Sequence, residues 1–150
     1  MIVKASNMIE ILLLEDESAD AYLVKLALRE AQVLANLHHV VDGQEGLDFL
    51  HKTEKYADTP RPDLIFLDLN MPRMNGYEFM TSIKTNPSFK DIPIIVLTTS
   101  DVEKDVVSSY ELGAASYVTK PVDMTQFISA IRQIGEYWFT LVRLPRGEKI

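Results

Sequence analysis

The stretch LIFLDLNMP, residues 64–72, decides the fold. It opens with four apolar residues in a row, the pattern of a strand covered on both faces. The run then delivers Asp68 at the point where the apolar pattern breaks. Aspartate is a poor strand former and costly to bury, so its place at the strand end calls for a reason. Two other runs, ILLL (11–14) and IIVL (94–97), share the uninterrupted apolar character. Strands of this kind belong to parallel sheets with helices packed on both sides.

The segments between the runs have helical spacing. After the first strand, IEILLLED (9–16), comes SADAYLVKLALREA (18–31). Ser18 reads as its N-cap, and Val24, Ala27, Leu28 and Ala31 recur at helical intervals. NLHHVV (36–41) reads as the second strand. DGQEGLDFLHK (42–52) reads as a short helix in which Asp42 and Glu45 have capping-box spacing. GYEFMTSIKTN (76–86) is a third helix, stopped by Pro87, and IIVLT (94–98) is the fourth strand. DVEKDVVSSYELG (101–113) is a helix with Val106, Val107 and Tyr110 inward and Gly113 as its stop. ASYVT (115–119) is the fifth strand, and a last helix starts near Asp123 and runs past Trp138. The expected fold is a doubly wound α/β domain with a five-stranded parallel sheet.

Composition agrees with one domain. The chain has 150 residues, 47% of them hydrophobic, enough for a substantial core. Residues 1–8 read as an extension, 9–134 as the domain and 135–150 as a C-terminal interaction segment. With no cysteine, disulfides and thiolate metal sites are excluded. A net charge of −7 without a basic block argues against direct nucleic-acid binding. No apolar run has the length of a membrane span, so a cytoplasmic location is expected.

The strand ends carry the chemistry. They present Glu15 and Asp16, Asp68, Thr98, and Lys120 before Pro121. In folds of this class ligands bind beyond the carboxyl ends of the strands. Three carboxylates about 5 Å apart, in an effective dielectric near 20, repel by about 3 kcal/mol per pair, about 10 in all. One lysine offsets only part of that. All-oxygen ligands with this charge suit Mg²⁺, with Mn²⁺ as its substitute, and make Asp68 a candidate nucleophile toward phosphorus.

LLLED, LIFLDLNMPRMNG, IIVLTTS and GAASYVTKP resemble, in order and spacing, the motifs of CheY-like response regulator receiver domains. The resemblance spans about residues 9–134 and implies a flavodoxin-like (βα)5 fold and a phosphoacceptor role for Asp68. It implies Asp16 as direct metal ligand, Glu15 as holder of a metal-bound water and Asn70 as a ligand through its backbone carbonyl. Lys120 would pair with Asp68 and then with the phosphoryl oxygens, Thr98 would donate its hydroxyl to one of them, and Tyr117 would turn inward as Thr98 moves. The implied partner is a sensor histidine kinase, and the implied role is a stand-alone signalling protein, not a metabolic enzyme. A cis peptide before Pro121 would aim Lys120. Thr99, often alanine in the family, departs from the pattern. Within the family, RPDLIFLDLN, TTS, SYELG and the tail GEYWFTLVRLP resemble small regulators that partner cyanobacterial phytochrome kinases.

Other readings compete. A haloacid-dehalogenase-like phosphatase would need a second aspartate two residues after the nucleophile, where Asn70 stands, and a substrate cap. A flavodoxin would meet an acidic loop, EDESAD, where its cofactor phosphate should sit. His38 and His39, adjacent on a strand, point to opposite faces and read as structural, and Met71, Met74 and Met80 read as packing. In the last helix Phe127, Ile131, Ile134 and Trp138 form one stripe, and Ile128, Gly135, Phe139 and Val142 a second. Tyr137, Trp138, Phe139 and Val142 are therefore expected to mediate a homodimer, the alternative being a tail folded onto its own domain.

Overall fold

A computed structural model describes residues 8–98, 103–120 and 124–136. The strands are β1 (Ile9–Leu14), β2 (Ala35–Val40), β3 (Leu64–Leu67), β4 (Ile94–Thr98) and β5 (Ser116–Thr119). The helices are α1 (Ser18–Glu30), α2 (Gly43–His51), α3 (Gly76–Lys84), α4 (Glu103–Glu111) and α5 (Met124–Glu136), with one 3₁₀ turn at Glu54–Tyr56. All strand pairs are parallel, in the order β2-β1-β3-β4-β5, which is the expected doubly wound arrangement.

The apolar runs explain the layers. Alternate residues of a strand face opposite sides of the sheet. Leu12, Leu14, Ile65, Leu67, Ile94 and Val96 pack against Phe49 of α2 and Phe79, Met80 and Ile83 of α3. Their neighbours Ile11, Leu13, Phe66, Ile95 and Leu97 pack against Val24 and Leu28 of α1 and Phe127 and Ile131 of α5. Burial of each large aliphatic side chain contributes about 1.5–3 kcal/mol, which is why neither face tolerates a polar interruption. Met71 and Met80 are buried and Met74 packs against the same core, as expected of gap-filling side chains. The register sets up the site: Leu14 lies opposite Leu67, and the Asp68 N–H donates to the Leu14 carbonyl at 3.0 Å. Glu15 and Asp68 thus leave the sheet side by side.

Four local expectations change. The N-cap of α1 is Glu17, with Ser18 as the first helical residue. At α2, Asp42 accepts from the Glu45 N–H at 2.8 Å, but Glu45 reaches past it to the Val41 N–H at 2.9 Å. The reciprocal capping box forms at α3 instead, between Asn75 and Glu78. On α4, Val107 and Tyr110 are exposed, and the fully buried residue is Ser109. Two adjacent valines, Val106 and Val107, left the helix phase open; the inward row is Val106, Ser109 and Leu112, three residues apart. On α5 the second stripe is partly covered by its own domain, since Gly135 is buried and Ile128 packs against the α1 side. Gly113 does end α4, at φ +109°. Thr99, the Lys120–Pro121 bond, and Tyr137, Trp138, Phe139 and Val142 lie outside the described residues.

Candidate functional site

The site lies at the carboxyl ends of β1 and β3, where the strand order reverses. Glu15 and Asp16 follow β1 directly and Asp68 follows β3. Each of the three offers an oxygen within 4.8 Å of the others. Glu15 and Asp68 are buried, whereas Asp16 is half-buried. The Glu17 N–H donates to Glu15 Oε2 at 3.2 Å, and His39 Nε2, which must carry the proton, lies 2.6 Å from the Glu15 carbonyl. His38 turns the other way, to Glu10 at 2.7 Å, so the two histidines diverge as expected.

Lys120 reaches back over the strand ends. Its N–H donates to the Thr98 carbonyl at 2.6 Å, which fixes its backbone just beyond β4. Its ammonium donates to Glu15 Oε1 and to Asp20 Oδ2, the latter at 3.0 Å, and stands 3.7 Å from Asp68 Oδ2. Burial pushes the Glu15 carboxyl up to about 7, with Lys120 opposing the rise and Asp68 adding to it. For Lys120, burial pulls downward, but its hydrogen bonds to Glu15 and Asp20 outweigh that and hold it above its ordinary value. The lysine stays charged while the deepest acid resists ionisation, so the pocket is short of positive charge.

The donor set therefore fits a divalent cation. Three hard carboxylate oxygens suit Mg²⁺ or Mn²⁺, and such a cation would relieve the repulsion between them. Thr98 adds a hydroxyl that is fully buried and has no hydrogen-bond partner among the described residues. An orphaned buried donor costs about 1–3 kcal/mol, which a ligand oxygen could recover. Asn70 is exposed, and its N–H lies 3.5 Å from Asp68 Oδ1. Tyr117 is half-buried on the neighbouring strand, one pleat back from the residue opposite Thr98, and packs against the α2–α3 side of the core.

A sequence model of the response regulator receiver domain matches residues 11–132. The chain belongs to that family. This receiver is 41% identical over 135 residues to response regulator Rcp1 of Synechocystis sp., a match covering 90% of this chain and 92% of Rcp1. The crystal structure of the Mn²⁺-bound form of Rcp1 is similar at a TM-score of 0.83 and 40% identity, over 91% of this chain and 98% of that one. The phosphorylated cyanobacterial phytochrome response regulator RcpA gives 0.85 at 38% identity, over 92% and 99%. A receiver is a signalling module, so the family displaces the phosphatase and flavodoxin alternatives. No helix among the described residues is long and apolar enough to cross a membrane.

Two parts of the receiver site escaped the sequence reading. Asp20 binds Lys120 from the first turn of α1, where an acid reads simply as a complement to the helix dipole. Asp42 caps α2 and also accepts from Arg73 Nε at 2.6 Å, while the Gly43 N–H donates to the Met74 carbonyl at 2.9 Å. Those bonds fasten the loop after Asp68 to the start of α2. The positive φ of Arg73, 61°, was the missing signal, since sequence does not display it.

Proposed function

We propose that this chain accepts a phosphoryl group on Asp68 from a phosphohistidine of a sensor kinase, of the phytochrome class, and changes its interaction surface in response. The observation that carries the reading is Asp68 itself. It is a buried carboxylate clustered with Glu15 and Asp16 within 4.8 Å, and Lys120 stands 3.7 Å from its Oδ2. The similarity to Rcp1 and RcpA supports the phytochrome class of kinase.

An Asp68 oxygen forms the new P–O bond as the P–N bond to the donor imidazole breaks, and the nitrogen leaves with the bonding pair. Lys120 supplies fixed positive charge beside the accepting oxygen. The Thr98 hydroxyl, buried and unpartnered among the described residues, is the donor for one phosphoryl oxygen, and Tyr117 follows its movement. Glu15, Asp16, Asp68 and the Asn70 carbonyl would hold a divalent cation, which when bound neutralises the charge of the carboxylates and phosphoryl oxygens.

Asp68→Asn tests the assignment, because the amide keeps the shape but cannot form the acyl phosphate. Intact mass after incubation with phosphoramidate and Mg²⁺ should show one phosphoryl on the wild type and none on the variant; full labelling of the variant would move the acceptor elsewhere. In the same reading the C-terminal segment, residues 135–150, carries a homodimer contact through Tyr137, Trp138, Phe139 and Val142. Light scattering on the full chain and on a chain ending at Gly135 checks it, and two monomers at high micromolar concentration would end that part.

A further inference from the structure

Lys120 has three ammonium hydrogens and three carboxylates around it, and they are not shared evenly. Glu15 and Asp20 take hydrogen bonds, while Asp68 Oδ2, at 3.7 Å, lies beyond hydrogen-bond reach. We propose that Asp20 is a positioning residue that holds the Lys120 ammonium off Asp68 until a phosphoryl group draws it across. The inference rests on the phosphoacceptor reading of Asp68.

The two partners of Lys120 differ in how readily they let go. The Glu15 side chain is 1% exposed, so losing the ammonium would leave a buried carboxylate without compensation. The Asp20 side chain is 32% exposed, and water can replace the lysine there. Asp20 is therefore the releasable partner and Glu15 the pivot. The distances also say what the hold accomplishes. An ammonium bonded to Asp68 would occupy the oxygen that must coordinate a cation and attack phosphorus. Holding it on Asp20 keeps that oxygen open, with the positive charge 3.7 Å away.

Asp20→Asn should let Lys120 close on Asp68, where it competes with Mg²⁺ for the same carboxylate. Titration calorimetry should then show Mg²⁺ binding weakened by about three- to tenfold, the scale of one charge change at a partly exposed position. Glu17→Gln removes one charge from the same loop at an exposed position and should weaken binding by less than about twofold. Asp20→Glu, which can still reach the ammonium, should restore wild-type affinity. A metal-free readout is the ¹⁵N resonance of the Lys120 ammonium, expected to shift in Asp20→Asn and to stay in place in Glu17→Gln. Asp20→Ser serves equally if the amide disturbs α1. Equal weakening by Asp20→Asn and Glu17→Gln, or an unmoved Lys120 resonance, would reduce Asp20 to a bulk charge and overturn the proposal. Labelling of wild-type Asp68 by phosphoramidate is scored apart, since its absence would sink the phosphoacceptor reading whatever Lys120 does.

Discussion

Gly76, the first residue of α3, is where the helix presses hardest on the chain leaving β3. A Cβ placed there would stand 2.6 Å from the Asp68 carbonyl oxygen and 2.7 Å from the Leu69 Cα, both backbone atoms. Ordinary contact begins at 3.4 Å, so Gly76→Ala requires helix and strand end to part by about 0.8 Å. Overpacking of this kind costs about 1–3 kcal/mol. The bond from the Gly76 N–H to the Leu69 carbonyl, 3.0 Å, would weaken as well, adding about 0.5–1 kcal/mol. The first helical position gains little from alanine's propensity, so the expected loss is about 2–4 kcal/mol. For a chain of this size that lowers Tm by about 5–12 °C. Phosphorylation should fall further than stability explains, because a reacting group displaced by about 1 Å can lose on the order of a hundredfold in rate. Gly113→Ala is the comparator: φ +109° strains any side chain there, at a cost of about 1–2 kcal/mol, but the turn follows α4, away from Asp68. Urea unfolding followed by circular dichroism measures stability, and phosphoramidate labelling at 15 °C, with both variants folded, measures rate. The reasoning fails if Gly76→Ala lies within about 0.5 kcal/mol of wild type, or if both variants label equally.

Arg73→Ala should loosen the loop after Asp68, because it removes the partner of a buried carboxylate, Asp42, whose side chain is only 4% exposed. Amide exchange should accelerate across residues 70–75, and unchanged exchange there would show that Gly43–Met74 pairing suffices alone. Glu45 supplies a pH test: burial alone would raise its carboxyl, but bonds from Tyr56, Val41 and Lys55 together hold it below 4.5. Its contribution is then complete above pH 4.5 and is lost as pH falls through the depressed folded value. Tyr56→Phe should therefore be more destabilising at pH 7 than at pH 3, and a pH-independent difference in urea midpoints would contradict the linkage.

The sheet was legible because a strand buried on both faces leaves no room for polar residues, and ILLL, LIFL and IIVL contain none. Asp68, Glu15 and Asp16 were legible as breaks in that rule at strand ends, whereas Lys120 follows SYVT, a strand that is not an apolar run. The phase of α4 was not, since Val106 and Val107 are adjacent and the structure buries Ser109 in the row of Val106 while exposing Val107. A serine hydroxyl in the core, without a hydrogen-bond partner among the described residues, is a choice that no apolar pattern announces. The capping box moved from α2 to α3 for a tertiary reason: Tyr56, eleven residues on, takes the Glu45 carboxylate at 2.6 Å.

The same distinction separates the acids of the site. Asp68 stands out by violating the apolar pattern, whereas Asp20 obeys the local rule for the start of a helix and so carries no mark of its role. Its significance arises only when β5 delivers Lys120 across the sheet, 100 residues later. With Glu15 held up at about 7 by burial, the three carboxylates around one ammonium, with Asp16 beside two of them, form a pocket that folds at an electrostatic cost. That cost has a use. A site already neutralised in the resting state would have nothing to gain from a cation or to rearrange around a phosphoryl group. One that keeps its lysine shared among unequal partners can respond to either by changing which carboxylate holds it.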